Sequence, residues 1–135
     1  MNKKLFAVAG VAVLAACDGG DGNQFASPGD KLVFEDRGSI QCESDGITPE
    51  ASAQKLIDAG IDVMSSTCGI RTGVAFATVC GEGTGEILVH EIRAANVEDA
   101  VKLGFAEVAT LVDVGAGLNY ELIDCADRVP ITPSN

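Results

Sequence analysis

His90 is the only histidine in this 135-residue chain, and imidazole is the side chain best suited to acid–base chemistry near neutral pH. A hydrolytic role would pair it with a hydroxyl such as Ser65, Ser66 or Thr67, which the imidazole would activate as a nucleophile. No G-x-S-x-G turn or comparable catalytic motif surrounds these hydroxyls. We therefore expect a structural histidine on the face of a sheet, with catalysis through His90 as an alternative.

Carboxylates dominate the remaining chemistry, with 20 Asp and Glu against 9 Lys and Arg and a net charge of −11. Glu82, Glu86 and Glu91 could supply the carboxylate pair of a glycosidase, but in so acidic a chain their presence does not discriminate. The negative charge disfavours nucleic acid as a partner. The glycine-rich turn at residues 81–85 lacks the Lys-Ser/Thr of a phosphate loop. We expect no catalytic, cofactor-binding or metal-binding residue.

Four cysteines remain when Cys17 near the N-terminus is set aside, and an even number in an exported chain predicts two disulfides. No two of the four are spaced closely enough for a zinc knuckle or a C-x-x-C redox pair. We predict that Cys68 pairs with Cys80, because the two bracket a loop. The second predicted pair is Cys42 with Cys125, which would join the ends of the domain. Spacing does not exclude the other two pairings.

Residues 1–16 have the pattern of a bacterial secretion signal. Lys3 and Lys4 form the basic start, an apolar stretch follows, and Ala15 and Ala16 provide the small residues that a signal peptidase needs. The apolar run at residues 5–16 is shorter than the roughly 18 to 20 residues that cross a bilayer as a helix. The leader therefore predicts export rather than a membrane-spanning helix.

The end of the leader, Leu14, Ala15, Ala16 and Cys17, resembles the lipobox of bacterial lipoproteins. The resemblance implies cleavage before Cys17, attachment of diacylglycerol to its thiol, and acylation of the new amine with a fatty acid such as palmitate. It therefore implies a protein held at the membrane of the cell envelope and facing the periplasm. Asp18 matches the inner-membrane retention signal of enterobacterial lipoproteins, and an outer-membrane location stays open. The resemblance covers the leader alone.

Strand and helix signals alternate in the rest of the chain. Thr48 caps a helix that starts at Pro49 and ends near Gly60, and a second helix begins after Asn96 and ends at Gly104. The strongest strand pattern is at residues 86–92, where His90 shares a face with Leu88. Further strands are predicted at residues 32–34, 39–42, 61–64, 74–79 and 120–125.

The order of these elements predicts a small α+β two-layer sandwich, ferredoxin-like βαββαβ, with an antiparallel sheet and two helices on one face. We expect a signal peptide at residues 1–16, a lipid-anchored flexible tether at 17–30, a single domain at 31–125 and a tail at 126–135. Removal of Lys3 and Lys4 with the leader takes the net charge from −11 to −13.

The sequence therefore predicts a lipid-anchored protein of the bacterial cell envelope without enzymatic activity. Its expected role is that of an accessory module that binds a protein or peptide. Two alternatives are a small-ligand binding protein of the periplasm and a hydrolase that uses His90.

Overall fold

In the computed structural model the described part of the chain is residues 26–131. The predictions for the leader, for Cys17 and Asp18, and for most of the tether fall outside this range, as do residues 132–135. Within residues 26–131, no helix is long and apolar enough to cross a membrane.

The described chain is α+β, with a five-stranded antiparallel sheet and two helices. The strands lie in the order β4-β1-β3-β2-β5. They are β1 (Asp30–Asp36), β2 (Val63–Thr72), β3 (Glu86–Arg93), β4 (Ala106–Glu107) and β5 (Asn119–Ile123). The helices are α1 (Pro49–Asp58) and α2 (Val97–Lys102), and short 3₁₀ turns occupy Ala94–Asn96 and Val108–Leu111.

The helix α1 has the ends that its sequence predicts. The hydroxyl of Thr48 accepts a hydrogen bond from the backbone N–H of Ala51 at 3.1 Å, and Pro49 occupies the first position, where its missing N–H costs nothing. Just after the C-terminal end of α1, Gly60 takes a left-handed φ of 80°. The N–H of Ile61 then donates to the carbonyl of Leu56 at 3.0 Å, which satisfies one of the last helical carbonyls.

The central strand β3 is buried along nearly its whole length and pairs with β1 on one side and β2 on the other. Its side chains alternate between the two faces of the sheet, as the sequence predicts. Leu88 and His90 lie on one face, whereas Ile87 and Val89 lie on the other.

Each face of the sheet carries its own hydrophobic layer. Both helices pack on one face, in a layer formed by Val33, Leu56, Ile61, Ile92, Ala100 and Phe105. The other face is covered by the segment after β4, in a layer formed by Leu32, Phe34, Ile87, Val89, Val108 and Leu122. The expected placement of two helices on one face is therefore confirmed.

Two predicted strands are wrong. Residues 74–79 form no strand, because β2 already pairs with β3 and β5 and leaves this segment without a neighbouring strand. The ring of Phe76 packs instead against the backbone of Gly85. Of residues 39–42, only Ile40 makes strand-like bridges, to Ser44 and Gly83.

Both disulfides form, but the predicted pairing is wrong. Cys42 is bonded to Cys80 and Cys68 to Cys125, each with a Cα–Cα distance of 5.1 Å. Strand β2 continues past Cys68 to Thr72. Cys68 therefore lies inside a strand and not at the start of a short loop that leads to Cys80. Pairing of Cys68 with Ile123 of β5 places it two residues from Cys125.

Ordered contacts extend beyond the expected domain boundaries of 31 and 125. At the start, β1 begins at Asp30, and the backbone N–H of Ser27 donates to the Glu91 carboxylate at 2.7 Å. At the end, the N–H of Ile131 donates to the carbonyl of Leu122 at 2.8 Å. Residues 26–30 and 126–131 are therefore attached to the sheet.

Candidate functional site

His90 lies in the middle of β3, on the sheet face that α1 covers, and its side chain is fully buried. The Nε2 atom is 2.7 Å from the hydroxyl of Ser52 on α1. The Nδ1 atom is 2.7 Å from the hydroxyl of Ser66 on β2. Both ring nitrogens therefore have partners, as a buried imidazole requires.

The hydrogen-bond chain continues beyond Ser52. Its hydroxyl donates to a carboxylate oxygen of Glu35 on β1 at 2.5 Å. The ammonium of Lys55, one turn further along α1, donates to both oxygens of Glu35, at 3.0 and 2.8 Å. Side chains from three strands and one helix thus form one continuous polar chain.

The direction of each hydrogen bond follows from its partners. The hydroxyl of Ser52 has one hydrogen, and it donates this hydrogen to the carboxylate of Glu35. The contact between Ser52 and Nε2 of His90 therefore has the imidazole N–H as donor. Because a neutral imidazole carries one proton, Nδ1 presents a lone pair, and the hydroxyl of Ser66 donates to it.

The surroundings of His90 favour this neutral form. Burial lowers its pKa from 6.5 to about 4, because removal from water disfavours the imidazolium ion. The carboxylate of Glu35 acts in the opposite direction and raises the pKa, whereas the ammonium of Lys55 lowers it. The Phe105 ring lies edge-on to the imidazole, with ring centroids 5.9 Å apart.

A groove of about 550 Å³ lies next to Ser66 and is lined by residues of α1 and of the segment 124–131. The helix contributes a set of residues that includes Ala53 and Ile57, and Ile131 also lines the groove. Ser66 and Thr67 of β2 complete the lining used here. Ser66 therefore connects the buried polar chain to the surface.

The groove combines apolar and acidic side chains. Ile57 and Ile131 are 50% and 41% exposed, which leaves aliphatic surface open to solvent. Glu50 and Asp124 line the same groove. The backbone N–H groups of Asp127 and Ala126 donate to Asp124 and hold its carboxyl pKa below the ordinary value, so this carboxylate is charged at neutral pH.

Of the three hydroxyls considered beside His90, the structure brings only Ser66 to the imidazole. Ser65 points to the other face of the sheet, where its hydroxyl donates to Glu91 at 3.1 Å. The hydroxyl of Thr67 donates to the carbonyl of Ile123 at 3.4 Å.

The three carboxylates considered as a glycosidase pair are not assembled into one. Glu86 is buried against Arg37 and Arg128, with an Arg128 Nε to Oε1 distance of 2.9 Å. Glu91 lies on the opposite face of β3, and Glu82 is exposed in the turn before it. Within residues 26–131, no group of His, Cys, Asp and Glu side chains is arranged to hold a metal ion.

Sequence reasoning missed Ser52 and Glu35. Both positions carry a signal, because Ser52 lies four residues before the buried Leu56 on α1 and Glu35 shares its face of β1 with the buried Val33. A polar residue in register with buried neighbours needs a polar partner. The identity of that partner depends on how α1 packs on the sheet.

No protein-family model matches this sequence, and no curated protein or solved structure matches it either. A function is therefore inferred from the geometry of the site and from the sequence pattern.

Proposed function

We propose that this protein is an exported, lipid-anchored module of the bacterial cell envelope, and that its groove binds a cationic, partly apolar peptide segment of another envelope protein. The observation that supports binding is the groove beside α1, where exposed aliphatic side chains lie next to charged carboxylates. The peptide would place aliphatic groups against Ile57 and Ile131 and a Lys or Arg near Glu50 or Asp124.

Charge complementarity selects this class of partner. The mature chain would carry a net charge of −13, and the groove adds local carboxylates to this overall field. Such a field attracts cationic segments and repels anionic ones, with an effect that weakens as salt is added. A neutral small molecule would gain nothing from this charge, which is why we favour a peptide over a small ligand.

Export and anchoring are supported by the leader sequence and by the disulfides. The lipobox-like Leu14, Ala15, Ala16 and Cys17 places the lipid on Cys17, and Asp18 favours the inner membrane with the outer membrane as the alternative. The two cysteine pairs at bonding distance support an oxidising compartment such as the periplasm. A triacylated cysteine would hold the chain at the membrane, because each buried methylene contributes about 0.8 kcal/mol.

For the fold, we propose that β1 to β4 with the two helices form a ferredoxin-like βαββαβ unit to which β5 is an addition. The support for this assignment is the element order β1-α1-β2-β3-α2-β4 and the strand order β4-β1-β3-β2, with β5 added outside β2.

Site-specific photo-crosslinking in intact cells tests the binding role. A benzophenone amino acid is placed at Ile57 in the groove, and the control places it at Val101 on α2, which is 51% exposed and does not line the groove. We expect adducts from position 57 that are several-fold more abundant than those from position 101. Mass spectrometry of the adduct should identify a peptide with Lys or Arg beside aliphatic residues.

Equal adduct yields at the two positions, or crosslinked segments without cationic residues, would refute the proposal. Native mass spectrometry of the protein extracted from membranes serves as the second measurement. A bound small molecule that stays with the protein and disappears in an Ile57→Lys variant would favour the small-ligand alternative.

A further inference from the structure

We propose that Ser66 is a nucleophile that accepts acyl groups from carboxylic esters, with Nδ1 of His90 as its general base. This inference goes beyond peptide binding and rests on the contacts of His90, not on any partner of the groove. It develops the alternative that the sequence left open, a hydrolase that uses His90, in place of the expectation that the chain has no catalytic residue.

The hydrogen-bond chain orients the reacting proton. Because Ser52 donates to Glu35, it can only accept from the Nε2–H of His90, which leaves the Nδ1 lone pair facing Ser66. The hydroxyl of Ser66 therefore already donates to the atom that would receive its proton, at 2.7 Å. This distance is within the reach required of a base and its nucleophile.

The base His90 is buried and the nucleophile Ser66 is accessible, as a site for nucleophilic attack requires. His90 and Ser52 are each 0% exposed, so water does not compete for the ring nitrogens. Ser66 is exposed and lines the groove, so a substrate can reach its oxygen. A serine that served only to satisfy a buried imidazole would not need to face a groove of about 550 Å³.

The proposed acyl transfer needs only Ser66, His90, the ester and water, and no cofactor. The Oγ atom of Ser66 bonds to the ester carbonyl carbon while its proton passes to Nδ1 of His90. The carbon–oxygen bond to the alcohol then breaks, and the proton on Nδ1 goes to the departing alkoxide. In the second half, a water oxygen bonds to the acyl carbon while its proton passes to Nδ1 of His90. The bond between the acyl carbon and Oγ of Ser66 then breaks, the proton on Nδ1 returns to Oγ, and the carboxylic acid leaves.

Glu35 and Ser52 are positioning residues in this scheme. They hold the Nε2–H tautomer and face the positive charge that develops on the imidazole during attack. Lys55 pairs with the same carboxylate of Glu35. The charged groups that face His90 are therefore Glu35 from β1 and Lys55 from α1, and the loop after α2 contributes the ring of Phe105.

The lining of the groove defines the substrate class. Aliphatic side chains, including Ala53 and Ile57, favour a short apolar acyl group, and the carboxylates of Glu50 and Asp124 disfavour anionic esters. The amide of Gln54 lines the same groove, and one of its two N–H donors is taken by Asp58. The expected substrates are neutral or cationic esters.

The test uses the full-length protein purified from membranes in detergent, with p-nitrophenyl acetate and a fluorophosphonate as probes. The tryptic peptide at residues 56–71 contains Ser65, Ser66 and Thr67, so fragmentation of this peptide locates the adduct. We expect both probes to modify Ser66. Ser66→Ala should abolish the modification, whereas Ser65→Ala, the matched control on the opposite face, should leave it unchanged.

The rate of Ser66 modification should stay level from pH 8 to pH 5 and fall as His90 becomes protonated. Ser52→Ala should slow the reaction and move the midpoint of this pH profile, which a merely structural serine would not do. An unmodified Ser66 in the wild-type protein, or equal modification of Ser65, would overturn the proposal and needs no variant to fold. Neither result would bear on crosslinking at Ile57, so the two proposals fail separately.

Discussion

The single histidine makes the central contact of the site directly measurable at the residue scale. Long-range ¹H–¹⁵N spectra of the protein report the tautomer and the titration of one imidazole, because the chain contains only His90. We expect the Nε2–H tautomer near neutral pH and no change of charge between pH 8 and pH 5, because burial lowers the pKa of His90 to about 4.

The same pKa predicts a pH dependence of folding. The unfolded chain binds a proton at His90 below about pH 6.5, whereas the folded chain does so only near pH 4. The His90 contribution to the free energy of unfolding is therefore complete above pH 6.5 and is lost as the pH falls to 4, by on the order of 3 kcal/mol. An imidazole signal that titrates near pH 6.5 in the folded protein would contradict both expectations.

Strand register places Ser66, and not its neighbours, beside His90. Its place beside His90 was one of three possibilities in the sequence, and strand register selects among them, because Ser66 lies directly opposite His90 in the pairing of β2 with β3. A bulge between Val63 and Ser65 shifts that register. No local pattern in residues 63–67 specifies the shift, so sequence reasoning could not choose among the three hydroxyls.

At the scale of the elements, the two disulfides connect different parts of the fold. The bond between Cys68 and Cys125 joins β2 to the segment after β5, and its Cys68 end is fully buried. The bond between Cys42 and Cys80 joins two exposed loops. Each closes a long segment, with sequence separations of 57 and 38, so loop entropy predicts a similar stabilisation of about 4 kcal/mol for each.

Removal of the two disulfides should therefore have unequal effects. The double variant Cys42→Ala with Cys80→Ala should lose about 2 to 4 kcal/mol, close to the loop-entropy contribution. The double variant Cys68→Ala with Cys125→Ala should lose more, because it also leaves a cavity beneath the sheet. Urea unfolding of both variants measures the difference. A peptide map that shows Cys68 bonded to Cys80 would contradict the structure.

The sequence predicts the helix α1 correctly but predicts a strand at residues 74–79 that does not form. α1 carries its start and stop signals within its own sequence, at Thr48, Pro49 and Gly60, and its boundaries are as predicted. The segment at 74–79 has a strand-like composition but no neighbouring strand to pair with. Because a strand is stabilised by its partner, its formation cannot be derived from its own residues.

At the scale of the whole molecule, the anchor on Cys17 accounts for membrane attachment in our proposal. Cys17→Ser should abolish incorporation of radiolabelled palmitate and leave the precursor uncleaved, because serine lacks the thiol that receives the diacylglycerol. Gel analysis of labelled cells measures both effects, and Cys42→Ser, which opens the Cys42–Cys80 disulfide and replaces a cysteine outside the lipobox, should leave labelling intact. Fatty-acid labelling that persisted in the Cys17→Ser variant would refute the assignment.

The sequence alone specified the features whose signals are local or compositional. These are the α+β class, the ends of α1, the strand that carries His90, and an even number of cysteines available for two disulfides. The partners of each cysteine depended on the tertiary structure, as did the union of Glu35, Ser52, Ser66 and His90. Those residues lie on β1, α1, β2 and β3, and they meet only because strand register and helix packing, which are long-range, place four separate segments against one another.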